Sequence, residues 1–190
     1  MKKDRVVWDM STLSVFLDGV NTEHPYLAQA ARLSLMTGLR AGELYALHLI
    51  DVDVGSRMMK IHRSYNHKTK SVQEHTKTGI VRYVPINEQL YNLLSAIGTK
   101  NSPYVLPRHP LFDHGNQSNA LFAVCCKLGI PAIRWHDLRA LYASRLLLSG
   151  VSMVGVMQIC GWTQLSTAQR YLRLSGKDVV GLTDNVTFPG

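Results

Sequence analysis

The chain has 190 residues, 46% of them apolar and 18% charged, which fits one globular domain and argues against intrinsic disorder. Lysine and arginine number 21 against 13 acidic residues, a net charge of +8 with histidine neutral. Such a surplus points to a polyanionic partner, nucleic acid first and an anionic membrane surface second. No run of 18 apolar residues is present to span a bilayer. The basic start, MKKDRVVWDMSTLSVF, meets Asp4 and Asp9 where a signal peptide needs an apolar block. Cys125, Cys126 and Cys160 form no disulfide framework and read as reduced, largely buried thiols. The spacings His62/His67 and His109/His114 lack the cysteine or carboxylate partners of a metal site, so neither a metal nor another cofactor is expected.

In chain order, residues 10–20 (MSTLSVFLDGV) predict a helix capped by Asp9 or Ser11 and ending near Gly19. Residues 25–37 predict a second, opened by Pro25 and stopped by Gly38. A third covers 41–49. Residues 57–65 and 81–86 read as strands of one small antiparallel sheet, joined through a T-K-T-G turn. Residues 87–97 are helical with Asn87 as cap, and the Pro- and Gly-rich stretch 98–117 is a long loop. Further helices fall near 118–128, 136–149, 152–160 and 166–173. The fold class is mainly α with a small antiparallel β-sheet, an α+β domain.

The positive charge is concentrated. Residues 57–82 hold Arg57, Lys60, Arg63, Lys68, Lys70, Lys77 and Arg82 against Glu74 alone, as a phosphate-contacting surface would. A solvated face kept for solubility is the plainer alternative. Four other features carry candidate chemistry. Arg40, in Thr37-Gly38-Leu39-Arg40-Ala41-Gly42-Glu43, lies at a helix junction, with Glu43 placed to orient it. An arginine that merely caps a helix explains that segment as well. Lys77, on the turn, is able to reach a ligand and give up a proton. His136 and Arg139, three apart at the start of a helix, share a face where backbone N–H groups also favour an anion. Trp162 follows Gly161, and Tyr171 comes nine residues later; both residue types serve packing more often than chemistry.

Taken together, these segments resemble the catalytic domain of the tyrosine recombinases, the phage integrase family. TGLRAGEL resembles the first arginine box, TKTGIVRYVPI the lysine-bearing hairpin and HDLRALYASRLLLSGV the second box. VMQICGWTQLSTAQRYLR resembles the tyrosine box, and is similar to the Cre type in carrying Trp where most members carry His. WDMSTLSVFLDGV is like the usual opening of the domain. The resemblance implies the DNA breaking-rejoining fold over residues 1–190, without the N-terminal core-binding domain, for which residues 1–24 offer no candidate. It implies that Tyr171 attacks the scissile phosphate to form a 3′-phosphotyrosine. Arg40 and Arg139 then clamp the non-bridging oxygens, His136 and Trp162 hydrogen-bond the same phosphate, and Lys77 protonates the leaving 5′-oxygen. Arg57, Lys60, Arg63, Lys68, Lys70 and Arg82 become candidate DNA contacts.

The residue types suit this chemistry. Planar, permanently charged guanidiniums match the charge gathered on equatorial phosphate oxygens. An indole N–H donates but shuttles no proton, which leaves acid–base work to His136 and Lys77. The expected partners are double-stranded DNA and further copies of the chain, a tetramer on DNA. Residues 174–190 would dock on a neighbour through Val179, Val180 and Leu182. The resemblance also implies a cytoplasmic, nucleoid-associated enzyme encoded by a bacterium or phage. A type IB topoisomerase and a non-catalytic DNA-binding module of the same fold are the competing readings.

Overall fold

The computed structural model describes residues 8–98 and 102–166. Tyr171, most of the helix expected over 166–173 and the tail 174–190 lie outside the described residues. Helix α1 (Met10–Glu23) begins where the Asp9 carboxylate accepts the backbone N–H of Thr12 at 2.8 Å, and buries Phe16 and Val20, one helical turn apart. It runs past Gly19 instead of stopping there. A Cβ at Gly19 would sit 2.5 Å from Leu128 Cδ1, so the glycine serves close packing rather than termination. Helix α2 (Pro25–Thr37) has Pro25 in its first turn and Gly38 as a left-handed cap at φ 64°, both as the sequence predicts. Its buried Ala28, Ala30 and Ala31 let it pack centrally between α1 and α6.

Helix α3 (Ala41–Ala46) is shorter than predicted. Leu47 turns extended because its carbonyl accepts Val105 N–H at 3.0 Å, and His48 then bridges to Tyr104. A 3₁₀ turn follows at Leu49–Asp51.

The strands form two small sheets rather than one. Strands β1 (Val52–Asp53), β2 (Met58–Ile61) and β5 (Arg82–Pro85) make an antiparallel sheet with β2 central, while β3 (Ser64–Asn66) and β4 (Ser71–Gln73) form a separate antiparallel ribbon. The expected strand 57–65 breaks at His62 and Arg63, both of which turn onto Asp51 in the preceding 3₁₀ segment. In the larger sheet Met59 pairs with Val84 and Ile61 with Arg82. All four face inward, while Lys60 and Tyr83 face out.

Helix α4 (Glu88–Ile97) starts at Asn87, whose side chain accepts Leu90 N–H at 2.9 Å. The stretch read as a long loop contains a 3₁₀ turn at Pro110–Gly115, which delivers Phe112 to the core. Helices α5 (Asn116–Lys127), α6 (Trp135–Leu148) and α7 (Met153–Cys160) follow. The main core joins α1, α2, α3, the β1–β2–β5 sheet, α5 and the start of α6. A smaller apolar cluster of Ala140, Ala143, Leu147, Val156 and Cys160 seals α6 to α7. Among the described residues no helix is long and apolar enough to cross a membrane. Cys125 and Cys160 are buried free thiols, but Cys126 is exposed, since it follows Cys125 on α5 and points away from the core.

Candidate active site

The junction between α2 and α3 is three residues long, and its tightness depends on Gly38. A left-handed φ there lets the chain reverse, and a Cβ would fall 2.4 Å from the Tyr142 ring. Arg40 thereby becomes the residue that opens α3. Its backbone N–H donates to Glu43 Oε2 at 2.8 Å and its Nη1 to Glu43 Oε1 at 2.7 Å. A carboxylate in the first turn also suits the helix dipole.

Glu43 is almost fully enclosed, with 1% of its side chain exposed, and a second arginine meets it there. Arg82 of β5 donates Nη1 to Oε1 at 3.0 Å and Nη2 to Oε2 at 2.7 Å. Its Nε donates to the Ile159 carbonyl at 2.9 Å. Burial pushes the Glu43 carboxyl upward in pKa. The hydrogen bonds and charge of Arg82, then the charge of Arg40, outweigh that and hold it at about 2.

A third guanidinium completes the cluster. Arg139, one turn into α6, is buried and donates to the Gly38 carbonyl and the Cys160 carbonyl. Its Nη1 lies 4.0 Å from Glu43 Oε2. Burial pulls its pKa down to about 10, with the charges of Arg40 and Arg82 adding to the pull, so it stays cationic at neutral pH. The Trp162 ring lies over it, with its centroid 5.7 Å from Cζ. Trp162 reaches that place because α7 ends on Gly161 at φ 62°, packed so tightly that a Cβ would be 2.9 Å from Arg82 Cδ.

Segments far apart in sequence therefore meet: Arg40 and Glu43 from α3, Arg82 from β5, Arg139 from α6 and Trp162 from the end of α7. Three cations face one carboxylate, and the group carries a net charge of about +2 in a mostly dry environment, an arrangement suited to a bound anion. Arg40, with 24% of its side chain exposed, is the guanidinium open to solvent. An adjoining groove of about 720 Å³, lined by Met58, Ile80, Val81, Tyr83, Val154 and Trp162, is apolar, so the cations rather than the groove mark the site.

His136 is exposed on the first turn of α6, three residues before the buried Arg139. Lys77 is exposed at the tip of the turn between β4 and β5, where buried Thr76 anchors the chain through its hydrogen bond to the Ile80 carbonyl. Tyr171 is outside the described residues. Among the candidate DNA contacts, Arg82 requires correction. It is 5% exposed and bound to Glu43, because in R-Y-V-P it shares the inward face with Val84. Arg63 is held by Asp51 and Glu74, and Arg57 lies over the Tyr91 ring and pairs with Glu88 at 3.2 Å. Lys60, Lys68, Lys70 and Lys77 are the exposed cations of the segment. The basic stripe is thus thinner than the local count suggests, since Asp51 and Glu88 lie outside it in sequence.

The sequence matches the phage integrase family over residues 10–177. It is 24% identical over 175 residues to a tyrosine recombinase XerC-like protein of Caldanaerobacter subterraneus subsp. tengcongensis, an alignment covering 76% of this chain and 45% of the relative. It is 23% identical over 151 residues to tyrosine recombinase XerC of Thermodesulfovibrio yellowstonii, covering 78% and 50%. The chain spans about half the length of these curated relatives. Among solved structures, it is similar to Tn1549 transposon integrase in complex with transposon right-end DNA, with a TM-score of 0.74 and 18% identity over 90% of this chain and 62% of that one. A lambda integrase dimer bound to a core site gives 0.70 and 18%, over 94% and 62%. The catalytic domain of bacteriophage HP1 integrase gives 0.63 and 19%, over 90% of this chain and 89% of that domain. With its sequence matched over most of its length and its fold shared with integrase catalytic domains, the chain belongs to the phage integrase family, the tyrosine recombinases.

Proposed function

We propose that residues 1–190 form the catalytic domain of a site-specific DNA recombinase that works through a 3′-phosphotyrosine intermediate. The observation that carries this reading is the gathering of Arg40 and Arg139 at one buried carboxylate, with Trp162 over Arg139 and cationic charge in excess. Double-stranded DNA is the partner that suits this charge, and the Tn1549 and lambda integrase structures were each solved on DNA.

In this reading the Tyr171 phenol oxygen attacks phosphorus, forming a P–O bond as the bond to the 5′-oxygen breaks. The phenol proton passes to His136, and Lys77 supplies a proton to the leaving 5′-oxygen. Arg40 presents the open guanidinium to the non-bridging oxygens, and Arg139 adds a second positive charge beneath it. Trp162 donates its indole N–H in the place where most members of the family carry His, as in the Cre type. A 5′-hydroxyl from another strand then attacks the phosphotyrosine, re-forming the phosphodiester and releasing Tyr171. Energy is conserved in the protein–DNA ester, so strand transfer needs no nucleotide. Several copies, a tetramer on DNA, act together, with residues 174–190 docking on a neighbour through Val179, Val180 and Leu182. Truncation after Ser175 should abolish that assembly on DNA, and unchanged assembly would reject the docking role.

The deciding experiment uses a nicked duplex bearing a site selected from a random pool for binding this protein. The expected result is a denaturant-resistant adduct with the wild-type chain and none with Tyr171→Phe, which still binds. An adduct persisting in Tyr171→Phe, or absent from the wild type, would reject the reading. Relaxation of supercoiled DNA without pairing of two sites would move it to topoisomerase chemistry.

A further inference from the structure

We propose that Arg82 is a positioning residue for the phosphate clamp: by holding both oxygens of Glu43, it limits how far that carboxylate draws Arg40 and Arg139 away from the positions they take in the site. The proposal deepens the recombinase reading and rests on it.

Glu43 is enclosed, and its two oxygens accept from Arg82, from the Arg40 guanidinium and from the Arg40 backbone. Arg40 reaches the two oxygens with its backbone and side chain, whereas Arg82 spans both with one guanidinium, in the paired geometry that is strongest for a carboxylate. Without it the carboxylate keeps its charge and has only Arg40 and Arg139 to draw on, the latter 4.0 Å away. Attraction at that range in a dry site is large. Arg139 would leave the Gly38 and Cys160 carbonyls for Glu43, and Arg40 would turn its open edge inward. The excess charge offered to an anion would fall from about +2 to about +1.

The placement of Arg82 supports this role over a plain packing role. Burying an ion pair stabilises a fold little compared with apolar side chains of the same volume, so stability alone does not account for an arginine at the inward position beside Val84. The third contact of Arg82, Nε to the Ile159 carbonyl, reaches the last turn of α7, from which Trp162 emerges. One side chain thus links β5, the carboxylate behind Arg40 and the segment carrying Trp162.

The test is single-turnover adduct formation on the nicked, selected duplex described above, with rate constant, amplitude and half-saturating protein concentration each measured. For Arg82→Gln we expect a rate constant about 100-fold below wild type, as for a misplaced catalytic group, with full amplitude and unchanged half-saturation. Glu43→Gln/Arg82→Gln should be at least tenfold faster than Arg82→Gln, because the unpaired carboxylate is gone. A wild-type rate in Arg82→Gln, a loss confined to amplitude, or a double variant no faster than the single one overturns the proposal. Should Arg82→Gln fail to fold, Arg82→Lys carries the test. Its single ammonium keeps the buried cation but does not span both oxygens, and a rate about tenfold below wild type is expected; the wild-type rate overturns the proposal. Absence of any adduct from the wild type would instead strike the recombinase reading itself.

Discussion

Replacing Glu43 with Gln removes the carboxylate while keeping its shape. The carboxyl titrates at about 2 in the fold against an ordinary 4.5, and 1% of its side chain is exposed, so solvent screening is slight. A depression of that size corresponds to about 3 kcal/mol of folding stability at neutral pH. Because the folded value is the lower one, this stability is fully present above 4.5 and drains away as pH falls toward 2. For a chain of this length about 3 kcal/mol moves the unfolding midpoint by roughly 6 to 12 °C. Thermal unfolding followed by circular dichroism should therefore show Glu43→Gln melting that much below wild type at pH 7. The gap should narrow steadily below pH 4.5, while other acidic groups contribute equally to both proteins. A gap that stays constant down to pH 2.5, or equal midpoints at pH 7, would refute the assignment of Glu43 as an ionised, arginine-held carboxylate.

Gly38→Ala places a side chain at φ 64° and against the Tyr142 ring, and should cost on the order of 2 kcal/mol in chemical denaturation; an unchanged midpoint would refute the tight-junction argument. Lys68→Ala/Lys70→Ala should flatten the slope of log affinity against log salt for duplex DNA by about 2 if both lysines meet phosphates, and an unaltered slope would remove them from the interface. Of the three cysteines, Cys126 alone should react with a maleimide in the native protein, because burial both hides Cys125 and Cys160 and raises their pKa values. All three should react in guanidinium chloride, as read by intact mass; native labelling at two or three positions would contradict the packing of α5 and α7.

The parts of the fold legible from sequence are those governed by neighbouring residues. Pro25, Gly38 and Asn87 mark helix ends through their own backbone and side-chain chemistry, and α2 and α4 fall where those residues put them. Gly19 misleads because its glycine answers to Leu128, more than a hundred residues away. The strand break at His62 and Arg63 depends on Asp51, and Leu47 leaves its helix for Val105; neither partner is visible in a local window. In the site, residue type and order point to Arg40, Arg139 and Trp162, and they lie together. The spacing predicts Glu43 behind Arg40, but not that three arginines meet there. Charge counting groups Arg82 with the surface cations, although the alternation R-Y-V-P-I places it on the same side as Val84 and Ile86 and so carries the signal of its burial. Local charge counting overstates a basic surface whenever the counter-ions arrive from elsewhere in the chain, as Asp51 and Glu88 do here.

Arg139 fastens two helices at once. The carbonyls it holds belong to the residues at the C-terminal ends of α2 and α7, where the partial negative charge of each helix collects. One guanidinium, forked in two directions, acts as a buckle between them, and a lysine with its single point of charge would not close both sides. In the proposed reaction, a variant at this position would loosen scaffold and chemistry together. Its inactivity becomes informative about catalysis only once the joint between α2 and α7 has been shown to be intact.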